Sequence, residues 1–142
     1  MIAKNQALQV SIHTAISATN LVALICDKTL DNPKYEKVKK HILKIHKDAT
    51  EFNKKLISLE LEHQKNETKK VSKDNLKKAI NISLDVRKVS QIIEKVGFRL
   101  TKIGDKSMQA EARTAIHLSH AATKSALESI KQFKKIIGTS SK

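Results

Sequence analysis

The chain has 142 residues and a formal charge of +14, from 28 Lys and Arg against 14 Asp and Glu. One Pro, three Gly and 3% aromatics exclude a turn-rich β fold, and the single cysteine excludes an intramolecular disulfide scaffold. The composition is that of one all-helical domain, 1–142, with a core of Ile, Leu, Val and Ala.

The first helix is expected over about residues 3–30. Leu8, Ile12, Ala15, Thr19, Val22 and Cys26 recur at three- and four-residue steps, the spacing of one helical face. Cys26 lies in that stripe and reads as a buried thiol rather than a nucleophile. Residues 5–26 contain no Lys, Arg, Asp or Glu, yet Gln6, Gln9, His13, Ser17 and Asn20 make the stretch too polar for a membrane span. With no signal-peptide pattern either, the expectation is a cytoplasmic protein without a membrane partner.

Asp31-Asn32-Pro33 stops this helix and starts the next, expected over 34–62. Its stripe runs Tyr35, Val38, Ile42, Ile45, Ala49, Phe52, Leu56, Leu59. Residues 63–72 lack an apolar stripe and read as the longest connection. Ser72 caps a third helix over 73–103, and Gly104 ends it. Asp105 caps the last, over 106–137, which Gly138 ends.

The last helix is unusual because its stripe is small: Met108, Ala112, Ala115, Ser119, Ala122, Ala126, Ser129, Phe133. A neighbouring backbone can approach such a face closely, so the helix belongs at the middle of a bundle or at a subunit interface. The expected architecture is an all-α, up-down four-helix bundle that forms a homodimer through this face.

Three sets of residues invite chemistry. A ferritin-like di-iron site needs two Glu-x-x-His pairs, and Glu60–His63 supplies only one. His117 and His120 have no carboxylate partner near them on their own face, so no metal is expected. Asp48 sits beside the stripe, next to Ala49. It is either a part-buried acid placed to move protons or the surface partner of Lys44, four residues earlier. The charge of +14 favours anionic partners, although the lysines are spread along the chain rather than clustered.

In order, the chain resembles the formiminotetrahydrofolate cyclodeaminase and methenyltetrahydrofolate cyclohydrolase family. The small-residue first helix leads into Asn32-Pro33-Lys34-Tyr35-Glu36. Asp48-Ala49-Thr50-Glu51-Phe52-Asn53 looks like the family's Asp-Ala-x-x-Phe-Asn block. Gly104-Asp105-x4-Ala110-Glu111-Ala112 and Ala121-Ala122-x-x-Ser125-Ala126 match two later segments. The resemblance implies a helical-bundle dimer and a tetrahydrofolate derivative as ligand or substrate. The reaction would be closure of the formimino form with loss of ammonia, or hydrolysis of the methenyl form. It would make Asp48 the proton-shuttling carboxylate and Glu111 a second acid. Lys44, Lys47 and Asp105 would help hold the folate. Two features depart from the family: MIAKNQ has no glycine where the family is Gly-rich, and Ser125, Ser129 and Phe133 replace its Gly and Asn positions. The alternative is a non-catalytic basic bundle that binds nucleic acid or an acidic protein.

Overall fold

A computed structural model describes residues 6–140. The expected helix start at residue 3 and the MIAKNQ segment therefore lie wholly or largely outside the described residues. Four helices, α1 (Gln6–Leu30), α2 (Lys39–Glu67), α3 (Lys73–Ile103) and α4 (Gln109–Ser140), form an antiparallel bundle. Side-chain pairs mark the register. His13–Glu60 and Asp27–His46 join α1 to α2, Arg99–His41 joins α2 to α3, and Glu94–His120 joins α3 to α4. Ser11 of α1 closes the ring by donating to the Ala122 carbonyl of α4 at 2.6 Å.

α4 packs most extensively, against α3 on one side and α1 on the other, and α2 meets α3 much less closely. The small stripe explains this. Ala112, Ala115, Ser119, Ala122, Ala126 and Ser129 are all buried inside the single chain. Gly97 extends the close approach, since a Cβ there would lie 2.8 Å from Ile116 Cγ1. The small-residue face is thus spent within the bundle and offers nothing to a second subunit. A dimer needs another surface.

Four element boundaries differ from the sequence reading, the first being that α4 begins only at Gln109, after a 3-10 turn over Lys106–Met108 that Asp105 caps. Residues 33–38 form a 3-10 turn with no buried residue, and the α-helix begins only at Lys39. Tyr35 leaves helical geometry there, and its hydroxyl accepts from the Lys106 amide across the bundle end. α2 continues to Glu67, because the inward stripe goes on in polar residues. His63 and Asn66 are buried, and Asn66 Nδ2 donates to the Asn75 carbonyl at 3.0 Å. α4 runs through Gly138 to Ser140, and since a Cβ there would meet nothing within 4 Å, no crowding selects the glycine. Gly104 does end α3, in extended rather than left-handed backbone, and lack of room selects it. A Cβ would sit 2.7 Å from the Leu100 carbonyl oxygen and 3.2 Å from Ile25 Cγ2.

Candidate functional site

The α1/α2 seam carries a ladder of polar pairs at seven-residue steps. His13 Nε2 lies 2.6 Å from Glu60 Oε2, Asn53 Nδ2 donates to Asn20 Oδ1 at 3.0 Å, and His46 Nε2 lies 2.9 Å from Asp27 Oδ1. Positions 13, 20 and 27 rise along α1 as 60, 53 and 46 descend along α2, so each rung is about 10 Å from the next. Around the central rung opens a groove of ≈ 270 Å³ lined by Thr19, Asn20, Ala23, Ala49, Thr50, Asn53 and Lys54. Alanines form its apolar floor, amides and hydroxyls give it donors and acceptors, and Lys54 gives it one cation. A larger opening of ≈ 810 Å³ at the α2–α3 connection is lined entirely by exposed residues, Lys65, Lys69 and Lys78 among them. It has no wall to exclude water.

The residues singled out from sequence do not converge. His41 and Lys55, seven residues on either side of Asp48, reach Arg99 and Asp85 of α3 at 3.1 and 3.9 Å. Asp48 therefore faces the α2/α3 seam, on the far side of α2 from the groove. It is paired with Lys44 at 3.5 Å, which is the surface-partner alternative. Glu111 lies on the α1 side of α4, half-buried, with Oε2 enclosed and without a hydrogen-bond partner. Lys47 is exposed one turn before Glu51, on the outer side of α2.

Asp105 has a structural task. Its Oδ1 accepts from the Ser107 amide at 2.9 Å and from the Ser107 hydroxyl at 2.8 Å, and Oδ2 accepts from Asn32 Nδ2 at 3.3 Å. Its own amide donates to Thr29 Oγ1 at 2.9 Å. The Ser107 hydrogen bonds hold its carboxyl below the usual carboxylate range, helped by Asn32 and Lys28. The turn it caps borders a cavity of ≈ 290 Å³ with Lys28, Asp31 and Pro33.

The histidines sort by tertiary contact. His120, without a carboxylate on its own helix face, gains Glu94 from α3 at 2.9 Å. His63 does not pair with Glu60. Its Nε2 is 3.1 Å from Glu67 but poorly aligned, and burial lowers its pKa despite the nearby Glu67 and Glu60. Among the described residues no three His, Cys, Asp or Glu side chains gather as metal ligands. Cys26 is buried, and burial next to Asp27 pushes its pKa up to about 12. α1 is long and apolar enough to pass for a membrane span, but its apolar side is packed inside the bundle. The ladder residues missed from sequence had one readable signal, the repeat of polar residues at seven-residue spacing in both helices.

These features define an antiparallel helical bundle with a polar groove between its first two helices. A family model described as formiminotransferase-cyclodeaminase matches residues 44–132, and the chain belongs to that family. A solved structure, formiminotetrahydrofolate cyclodeaminase from Thermotoga maritima, has the same fold, with a TM-score of 0.81 at 20% identity over 92% of this chain and 75% of that one. Comparison with curated proteins gave no match.

Proposed function

We propose that this chain binds a reduced folate in the α1/α2 groove and acts on its one-carbon bridge, as a cyclodeaminase or cyclohydrolase does. The observation that carries this reading is the Asn20–Asn53 pair in its groove, since Asn53 comes from the Asp48–Asn53 block inside the family-matched span. Two side-chain amides present the alternating donors and acceptors that a pterin edge requires. Lys54 in the groove supplies charge for the glutamate tail, and Lys47, exposed two turns earlier on the same line of α2, extends it.

The proton carrier in this reading is His46, held by Asp27 one rung above the amides. Loss of ammonia needs a proton delivered to the leaving amine, and hydrolysis needs one taken from water. An imidazole oriented by a carboxylate performs either step. In this reading the His46 imidazole takes the part of Asp48, because it stands on the α1/α2 seam with the groove whereas Asp48 stands on the other side of α2.

Calorimetric titration with 5-formyltetrahydrofolate tests the reading. Saturable binding that weakens about tenfold in Asn53→Leu, the scale of a lost buried hydrogen bond, supports it. Absence of binding, or binding lost in Asp48→Asn but kept in Asn53→Leu, sinks it.

A further inference from the structure

Charge is unevenly divided between the two halves of the bundle. α3 and α4 together carry 13 Lys and Arg against 5 Asp and Glu, whereas α1 and α2 carry 8 against 6. The acids of α3 and α4 do little to offset this on the outer surface between those helices. Asp85 reaches Lys55 on the α2 side, Glu111 lies on the α1 side, and half-buried Glu94 is held by His120 at 2.9 Å. Glu128 pairs with Lys131 at 3.5 Å, and Asp74 stands in the first turn of α3, at one end of the bundle.

The cations of that surface fall into two lines. On α3, Lys88, Lys95 and Lys102 are exposed at seven-residue steps, about 10 Å apart along one side of the helix. On α4, exposed Arg113 and Lys124 stand seven residues before and four after His120, whose pairing with Glu94 marks that side of α4 as the one beside α3. Phe98 lies between the lines. It comes four residues after Glu94, so it leans toward α4, and it falls between Lys95 and Lys102 along α3. Phe98 is 55% exposed, whereas Phe133 is 1% exposed and Phe52 packs half-buried against the core. Arg87, seven residues before Glu94 in the same seam, is half-buried with its Nε enclosed and without a hydrogen-bond partner. A ring left in water among cations contributes nothing to the core, and its open face is what a nucleic-acid base stacks on.

We infer that the outer surface between α3 and α4 binds single-stranded nucleic acid, with the cations of both lines on its phosphates and one base stacked on Phe98. A strand with unpaired bases presents both things this surface answers, a run of phosphates and open ring faces. An acidic peptide answers the charge alone, and a duplex keeps its bases stacked inside, away from the ring. The lysines look dispersed in the sequence because seven-residue steps scatter along the chain what one side of a helix gathers. The inference does not depend on the folate reading, whose groove lies between the other two helices.

Fluorescence anisotropy of a labelled oligothymidylate about 12 nucleotides long, within the usual span of such sites, tests the inference across a range of salt. The wild type is expected to bind saturably, with log affinity falling against log salt at a slope of about −3.5, the value for five phosphate contacts on a single strand. Lys95→Gln combined with Lys102→Gln should reduce that slope by about 1.4. Phe98→Ala should weaken binding about tenfold at every salt concentration with unchanged helicity, and Phe98→Tyr should restore it. Lys40→Gln combined with Lys47→Gln removes the same charge from the exposed side of α2 and should change little. Absence of saturable binding at low salt overturns the inference. So does an equal loss in the α2 and α3 double variants, or a Phe98→Ala variant that binds as the wild type does. A duplex of the same length, or a polyglutamate peptide, that binds as tightly as the single strand overturns it too, by assigning the surface to charge alone. No folate enters the assay, so the two readings fail separately.

Discussion

The two seams of α2 differ in what they hold. Toward α1 it has an evenly spaced ladder with a groove at its central rung, and toward α3 it has scattered ion pairs, Asp48 with Lys44 and Lys55 with Asp85. Exposed ion pairs of that kind contribute about 0–1 kcal/mol and tolerate exchange. A groove with an apolar floor and paired amides must instead be built by both helices at once. The block from Asp48 to Asn53 thus spans both seams, with Asn53 on the groove side of α2 and Asp48 on the other.

The largest expected effect breaks this comparison directly. His46→Gln should lower methenyl-forming or methenyl-hydrolysing turnover by about 10²–10⁴-fold, the usual contribution of a positioned acid or base. Asp48→Asn should stay within a few-fold of wild type, and the opposite ranking, read from the methenyl absorbance, would move the site to the α2/α3 seam. Ala122→Leu comes next. Ala122 is wholly buried and its carbonyl accepts from Ser11. Overpacking there should cost about 1–3 kcal/mol in a denaturant melt, against a change near zero for exposed Ala121→Leu.

Asp105→Ala should cost about 1 kcal/mol, the usual loss of a helix cap. Its carboxyl is held below its ordinary range in the folded chain, so its stabilisation is complete above an unfolded pKa of about 3.9 and disappears as pH falls through the lowered value. The gap between wild-type and variant melts should therefore be full at pH 7 and close as the buffer is taken below pH 4. The smallest effect is electrostatic. Lys54→Gln should weaken 5-formyltetrahydrofolate by a few-fold at low salt and by little at high salt, where screening removes the lysine's attraction. Affinity that instead falls steeply with salt for wild type and all single Lys variants alike would favour a basic bundle that binds nucleic acid.

Much of the bundle was legible because burial on a helix writes a period into the sequence. The stripes of α1 and α4 and the caps at Ser72 and Asp105 are local facts, carried by residues a few positions apart. The reading stopped where inward residues are polar. His63 and Asn66 continue the inner face of α2, yet their chemistry looks like a loop until Asn75 supplies a partner. The groove was less legible still. Asn20 and Asn53 are 33 residues apart, and nothing in either helix alone says they meet.

The sequence by itself determined four amphipathic helices, their order, and a last helix small enough to be closely approached. Spacing along one helix is enough to set those features. Only the tertiary structure decided that the small face is consumed inside the chain, that Asp48 and the Asn pair lie on opposite sides of α2, and that α1 leaves Val10 and Leu24 in solvent. Those outcomes depend on which helix lies beside which, and on the register between them. Register is set by the sum of many weak contacts between distant residues rather than by any one local pattern.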